Sequence, residues 1–195
     1  MANHSSLVID SLCNQAREGN KAVVGLYGDF LAQQEQSTTS MLGAILKQLF
    51  SSGEIPKVIR ETFQRSKGEF GGRGLRLPDM VEILKKAVTS LERIFVCIDA
   101  LDELVLGHRR GLLESLREIV RVSPNMRILL TGRPHVDDEI GEFFKTAVKI
   151  QISPSKDDIK NYLKMRLEGD TTPRAMDDGL RADIMRVIPE KISEM

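Results

Sequence analysis

Residues 95–103 read FVCIDALDE, an apolar run that ends abruptly in acidic residues. The run from Ile94 to Ile98 has the length and apolar character of a strand buried inside a parallel sheet. Asp99, Asp102 and Glu103 follow where that strand leaves the sheet. Open parallel sheets bind their ligands just outside the carboxyl ends of the strands. The stretch therefore predicts an α/β fold with a functional site at the acidic end of this strand.

Short apolar runs alternate with helical patterns along the rest of the chain. Three further runs predict strands, at residues 22–27, 128–131 and 147–152. Apolar residues at helical spacing lie before and between them, over roughly 5–18, 41–50 and 109–122. This alternation predicts a three-layer α/β fold, in which helices cover both faces of a parallel sheet.

The three acids suggest a magnesium site. Clustered carboxylates repel one another unless a positive charge lies among them, and a hydrated magnesium ion commonly supplies that charge. Asp99 at the strand end would hold the metal, and Asp102 or Glu103 would orient or deprotonate a water molecule. Acids are also common at helix N-termini, so the same residues could simply cap the next helix. This segment alone does not decide between the two interpretations.

A second feature is the sequence LLTGRPH at residues 129–135. Arg133 follows a neighbouring strand and would point into the same crevice as the acids. An arginine there stabilises the charge that develops on a phosphoryl group during its transfer. The alternative is a solvated arginine before the turn-forming Pro134. Because the acidic strand lies beside it, we favour contact between Arg133 and a phosphate.

Several segments of the chain resemble one family. FVCIDALDE resembles the extended Walker B motif of the NACHT group of STAND NTPases, and TGRPH is similar to that family's sensor arginine motif. The segments AVVGLYGDF, MLGAILKQL and IQISPSKDDIKNYLKMRL resemble flanking parts of nephrocystin-like NACHT proteins.

The resemblance implies a P-loop NTPase fold and a signalling switch whose oligomerisation depends on Mg and ATP or GTP. It implies that Asp99 binds magnesium through water and contacts the nucleotide, and that Asp102 and Glu103 are catalytic. It implies that Arg133 is catalytic and also contacts the nucleotide.

One essential motif of that family is absent. The sequence contains no Gly-Lys dipeptide and hence no G-x-x-x-x-G-K-[ST] loop, which grips the phosphates with backbone amides and a lysine. We therefore expect no bound cofactor, very weak nucleotide binding and no NTPase activity in this chain alone. The Gly-rich stretch 68–74 does not follow a strand and is interpreted as a surface loop.

The family's strand order resembles 5-1-4-3-2. This chain has apolar runs for strand 2 (22–27), strand 3 (94–98), strand 4 (128–131) and strand 5 (147–152), but none for the central first strand. The facing edges of strands 4 and 5 would then lack partners, so we expect either a gap between them or their direct pairing. We expect residues 1–168 to form an incomplete NACHT-like nucleotide-binding core and 169–195 to begin a following helical region. By this interpretation the chain is a fragment at both ends.

Composition excludes several classes of function. Lys+Arg and Asp+Glu both number 28, aromatic residues make up 5% and Trp is absent, which argues against a nucleic-acid surface. No apolar run approaches the ~20 residues that span a bilayer, and the N-terminus lacks the pattern of a signal peptide. We therefore expect a cytoplasmic protein that contacts protein partners or associates with itself, without nucleic acid or membrane.

Two other functions stay open from the sequence. The chain could be a non-enzymatic protein-interaction module on a degenerate P-loop scaffold. It could also be an unrelated flavodoxin-like domain whose acidic pocket binds magnesium or a phosphoryl group without any missing strand.

Overall fold

The computed structural model is an α/β structure whose helices and strands alternate along the chain. It describes residues 4–16, 19–51, 55–57, 59–61, 63–64, 75–169 and 177–192. The stretch 68–74, predicted to be a surface loop, lies outside the described residues. The helices are α1 (His4–Gln15), α2 (Thr38–Leu49), α3 (Leu77–Thr89), α4 (Leu106–Val122), α5 (Asp137–Phe143), α6 (Lys156–Glu168) and α7 (Asp178–Ile192). The strands are β1 (Lys21–Tyr27), β2 (Arg93–Asp99) and β3 (Met126–Leu130).

The three strands form one parallel sheet in the order β1-β2-β3. In its register Val24 lies opposite Val96, which lies opposite Ile128. β2 is central, and its residues Val96 and Cys97 are both buried although they point to opposite faces. Burial on both faces explains why the strand reads as a continuous apolar run. The α/β class and the adjacency of these three predicted strands are confirmed.

Helices lie on both faces of the sheet. On one face α2, α3 and α4 pack over Val24, Val96 and Ile98 and form the main hydrophobic core. On the other face α1 packs against β1 and β2. There a side chain at Gly25 would lie 3.3 Å from Cδ1 of Ile9, so glycine lets α1 approach the strand closely.

A side chain of α2 caps the middle of the outer edge of β1. The Gln48 amide accepts a hydrogen bond from the Gly25 N–H (3.0 Å) and donates one to the Gly25 carbonyl (2.9 Å). It thus makes, at Gly25, the two bonds that a neighbouring strand would make at that residue.

The outer edge of β3 is different. In the β2–β3 ladder the Ile94 N–H donates to the Asn125 carbonyl (3.1 Å), and the Thr131 N–H donates to the Ile98 carbonyl (2.9 Å). Because successive residues of a parallel strand direct their polar groups to alternate sides, Ile128 and Leu130 direct theirs outward. Within the part of the chain that the structure describes, these outward groups have no hydrogen-bond partner.

The predicted strand at residues 147–152 is wrong. This segment belongs to no sheet, and Val148, Ile150 and Ile152 are 88%, 77% and 72% exposed. Alternating β-branched residues favour a strand only where a neighbouring strand completes the hydrogen-bond ladder and a layer covers the apolar side chains. Among the described residues no strand pairs with this segment, so the strand does not form.

The chain divides into two compact units, Met1–Ala147 and Val148–Met195. The first contains the sheet and α1 to α5. The second contains α6 and α7, which pack together. The Ser155 hydroxyl and the Asp158 carboxylate cap the start of α6 as a capping box. The functional boundary near residue 168 stays a prediction. Among the described residues, no helix is both long and apolar enough to cross a membrane.

The two cysteines are expected to differ in reactivity, because Cys97 is buried in β2 whereas Cys13 is exposed on α1. Burial raises the pKa of the Cys97 thiol to about 11. A raised pKa keeps the thiol protonated below that value, so only about a thousandth of Cys97 is the reactive thiolate at pH 8. Iodoacetamide at pH 8 is expected to alkylate Cys13 and spare Cys97 until urea unfolds the protein. Mass spectrometry of tryptic peptides checks this, and equal labelling in native protein would contradict the buried placement.

Candidate functional site

The carboxyl ends of the three strands meet at one edge of the sheet. The Gly28 N–H, just after β1, donates to the Asp99 carbonyl at the end of β2 (2.8 Å). The Leu101 N–H, just after β2, donates to the Thr131 carbonyl that follows β3 (2.9 Å). These bonds join three segments that are far apart in sequence, and they position the predicted acids.

Asp99 is held by a side chain that sequence reasoning missed. It is 9% exposed, and the Thr131 hydroxyl donates a hydrogen bond to its Oδ1. The same hydroxyl accepts a bond from the Ala100 N–H (3.2 Å). Thr131 thereby fixes both the carboxylate and the backbone that follows it. The sequence offered one signal for this role: a hydroxyl residue directly follows one predicted strand, and a neighbouring predicted strand ends in an acid.

The backbone after Asp99 turns sharply. Ala100 has φ 54° and ψ 48°, a left-handed conformation that costs a residue with a Cβ roughly 1–2 kcal/mol. The turn leads into a short 3-10 helix, Leu101–Glu103, with Leu101 fully buried in the core. That anchor leaves Asp102 and Glu103 at the edge of the sheet. Asp102 and Glu103 therefore lie on a short turn directly after the strand that ends at Asp99, before the long helix α4 begins.

Gly28 is the second residue that sequence reasoning missed. A Cβ at this position would lie 2.1 Å from the Ala100 carbonyl oxygen and 3.3 Å from Cβ of Glu103. Only glycine allows the loop after β1 to pass this closely over the turn that carries the acids. A glycine directly after a buried strand was its only signal in the sequence.

Arg133 contacts two of the three acids. Its Nε lies 3.3 Å from Oδ2 of Asp102, and its Nη2 lies 3.2 Å from Oε1 of Glu103. Its backbone N–H also donates to Oδ1 of Asp102 (3.2 Å). The Arg133 side chain is 71% exposed, whereas those of Asp102 and Glu103 are 6% and 25% exposed. The exposed guanidinium therefore neutralises the acids from the solvent side, with the modest energy of a surface ion pair.

In this arrangement the three acids have different surroundings. Both oxygens of Asp102 bind Arg133, so Asp102 holds the turn after β3 in place. Glu103 pairs with the guanidinium through one oxygen, and its backbone carbonyl accepts a bond from the Gln33 amide (2.7 Å). Gln33 belongs to the loop after β1, so all three strand ends contribute to the site.

The described acids do not form a metal cage. No group of three or more His, Cys, Asp or Glu side chains is arranged to hold an ion within the described residues. Magnesium in nucleotide sites commonly uses one or two carboxylates, with the remaining ligands from water and phosphates. Arg133 engages Asp102 and Glu103, and the Thr131 hydroxyl engages Oδ1 of Asp99, so a magnesium ion bound in that mode would need most of its ligands from outside these residues.

Two cavities flank β1 without reaching the acids. One of about 300 Å³ lies beside Tyr27 and Gly28 at the carboxyl end of the strand, and one of about 540 Å³ lies around Asn20 and Lys21 at its start. Neither is lined by Asp99, Asp102 or Glu103. These two cavities therefore do not present a nucleotide to the predicted acids.

Comparison with known proteins identifies one family. No curated protein matches the chain. The family described as "Nephrocystin 3, N-terminal" matches residues 4–133. The matched range begins with α1 and extends through Gly28, Asp99, Thr131 and Arg133, so it contains every residue of the candidate site. The match covers about two thirds of the sequence and agrees with the nephrocystin-like resemblance of the motifs. The chain belongs to the nephrocystin 3 N-terminal family.

Proposed function

We propose that this chain carries the Walker B and sensor part of a NACHT-type STAND NTPase. Such an enzyme uses Mg and ATP or GTP to control its oligomerisation. The single observation that supports the proposal is the meeting of Asp99, Glu103 and Arg133 at the carboxyl edge of one parallel sheet. This is the edge at which α/β proteins bind their ligands. The setting we propose is cytoplasmic, with protein partners or a second copy of the chain.

The proposed roles follow from the position of each side chain. Asp99, held by the Thr131 hydroxyl, would bind magnesium through water. Glu103 would orient the attacking water, with Asp102 assisting catalysis by keeping the Arg133 turn in place. Arg133 would contact the terminal phosphate. The guanidinium must leave Glu103 to do so, and hence the observed ion pair would be the resting arrangement.

We further propose that the 195-residue chain does not bind or hydrolyse nucleotide by itself. Its sequence has no Gly-Lys dipeptide, so the backbone cradle and lysine of a P-loop are missing. Without them the carboxylates would repel a polyphosphate, because only Arg133 opposes their charge in the described site.

The roles can be separated in a version of the protein given an N-terminal strand and P-loop from a NACHT protein. Asp99→Asn is expected to weaken magnesium-dependent ATP binding about 10-fold or more, because it removes the metal's acidic partner. Glu103→Gln is expected to leave binding intact and slow hydrolysis about 100-fold, the typical size of a general-base effect. Arg133→Ala is expected to slow single-turnover hydrolysis about 100-fold.

Titration calorimetry and single-turnover assays measure these effects, and Glu114→Gln on the exposed side of α4 is the matched carboxylate control. Equal loss of binding from Asp99→Asn and Glu103→Gln would contradict the separate roles. Unchanged single-turnover hydrolysis in Arg133→Ala would contradict the sensor role.

The second candidate function is a non-enzymatic interaction module. The observation that favours it is the engagement of Asp102 and Glu103 by Arg133, which gives these acids a structural task without any ligand. On this alternative the extended protein would bind no nucleotide even with a P-loop supplied. The calorimetry on the extended protein therefore decides between the two functions.

A further inference from the structure

Exposed apolar side chains cluster at the carboxyl end of β1, beside the smaller of the two cavities. Leu31 and Phe30, on the short 3-10 helix after β1, are 93% and 66% exposed. Val105 and Leu106, which follow the acidic turn, are exposed as well. These four side chains form what we call the apolar patch. Because exposed apolar patches mark sites of interaction, we propose that the apolar patch binds a basic amphipathic helix of a partner protein.

Hydrogen bonds hold the two segments of the apolar patch together. The Gln33 amide, two residues after Leu31, donates to the Glu103 carbonyl (2.7 Å), and Val105 follows two residues later in the chain. The Asp29 carboxylate accepts a bond from the Leu31 N–H (2.9 Å) and so caps the 3-10 helix. A surface that is fixed before binding loses little conformational freedom when its partner binds. The apolar patch is therefore preformed.

The cavity beside the apolar patch fits one large apolar side chain. Its volume of about 300 Å³ is at the small end of the range for ligand pockets, so it suits an anchoring side chain better than a cofactor. Its walls include Leu26, Met41 and Leu104. Ala32 of the 3-10 helix also lines it, which places the cavity next to Leu31. A buried anchor surrounded by further contacts is the usual organisation of a protein interface.

The backbone at the end of β1 favours a helix over an extended strand as the partner. The Gln36 amide donates to the Tyr27 carbonyl (2.7 Å) and accepts a bond from the Asp29 N–H (2.9 Å). The Gln48 amide makes the corresponding bonds at Gly25. An added strand would need these backbone groups, whereas a helix satisfies its own backbone and binds through its side chains.

The charges of the loop after β1 are complementary to a basic partner. Between Gly28 and Ser37 the charged residues are Asp29 and Glu35, both exposed, and Glu35 also lines the cavity. Neither forms an ion pair with a residue that the structure describes. A helix with Lys or Arg beside its apolar face would pair with these acids, whereas an anionic membrane would be repelled.

This surface is independent of the nucleotide site that we propose. It needs neither nucleotide nor magnesium, and it names a partner that the proposed function leaves open. In the family's strand order the first strand lies beside β3, whereas the apolar patch lies on the β1 side of the sheet. Failure of either proposal therefore leaves the other untouched.

A synthetic helix of about 18 residues, with one leucine face and lysine elsewhere, is the probe. Fluorescence anisotropy of the labelled peptide measures its binding to the 195-residue chain. Saturable binding with a Kd below about 100 µM is expected, as for a small interface. A peptide of the same composition in scrambled order, and one with glutamate in place of lysine, are each expected to bind at least about 10-fold more weakly.

Substitutions in the chain locate the binding surface. Leu31→Ser removes an exposed contact and Ala44→Leu fills the cavity, so each is expected to weaken binding about 10-fold. Glu35→Lys is expected to weaken binding of the lysine peptide and strengthen that of the glutamate peptide, and this exchange separates a changed surface from a damaged fold. Val122→Ser is the control, because Val122 is exposed at the far end of α4, and it is expected to bind like the wild type.

Three outcomes would overturn the proposal. The first is no saturable binding of the lysine peptide at chain concentrations up to about 1 mM. The second is binding that Leu31→Ser and Ala44→Leu leave unchanged, because another surface would then bind the peptide. The third is a wild-type dimer in sedimentation equilibrium that Leu31→Ser dissociates, because a second copy would then cover the apolar patch.

Discussion

Replacing Gly28 with alanine is expected to lower the free energy of unfolding by about 3 kcal/mol, the upper part of the range for overpacking. The new Cβ would lie 2.1 Å from the Ala100 carbonyl oxygen, far inside van der Waals contact. A backbone oxygen cannot rotate away as a side chain does. The clash can therefore be relieved only if Gly28 or the left-handed turn at Ala100 moves. This movement breaks the 2.8 Å hydrogen bond from the Gly28 N–H to the Asp99 carbonyl.

Urea denaturation monitored by circular dichroism measures the loss of unfolding free energy. Gly107→Ala is the matched control. Gly107 belongs to α4, and apart from its chain neighbours and the backbone of that helix no heavy atom lies within 4 Å of the position that a Cβ there would occupy. The control variant is expected to be unchanged or stabilised by up to about 1 kcal/mol, because alanine reduces the freedom of the unfolded chain. Equal midpoints for the two variants would contradict the close approach at Gly28.

Replacing Glu139 with alanine is expected to cost about 3 kcal/mol of stability. Glu139 on α5 pairs with Arg109 on α4 through Nη2 (2.7 Å) and Nε (2.8 Å), and both side chains are only 11% exposed. Arg109 also donates to the Leu104 carbonyl (3.3 Å). Removal of the carboxylate leaves a buried guanidinium without its counter-charge, which is far less favourable than the loss of both partners.

The neighbouring pair on the same two helices supplies the control. Arg110 and Glu142 lie 2.9 Å apart, but their side chains are 48% and 59% exposed. Glu142→Ala is therefore expected to cost at most about 1 kcal/mol. The double variant Arg109→Met with Glu139→Leu is expected to recover most of the loss, since no buried charge remains. Thermal or urea denaturation checks all three, and a Glu139→Ala cost no larger than that of Glu142→Ala would contradict the buried pair.

Local sequence patterns were sufficient for the parts of the fold that depend on single elements. β2 is buried on both faces, so its sequence is continuously apolar, and the acids that follow it mark its end. The pattern at residues 147–152 is also strand-like, yet the segment forms no strand. A strand exists only with a neighbour, and the sequence of one segment does not contain that neighbour.

The parts of the site that sequence reasoning missed depend on distant contacts. Thr131 bonds to Asp99 across 32 positions, and the Gln33 amide bonds to the Glu103 carbonyl across 70 positions. No local spacing predicts such pairs. Arg133 does follow β3, as the sequence predicted, but its described partners are carboxylates. An arginine at a strand end is equally suited to a phosphate and to an acid, so the choice depends on which one is present.

We propose that Asp99, Asp102 and Glu103 form the acidic half of a nucleotide site and that the 195-residue sequence lacks the half that grips phosphate. Titration calorimetry of ATP with Mg into the folded 195-residue chain tests it most directly. The proposal predicts no binding heat at ATP concentrations up to about 1 mM, because carboxylates without a P-loop repel a polyphosphate. Saturable binding with micromolar affinity that is lost in Asp99→Asn would contradict it, since the described residues alone would then form a working site.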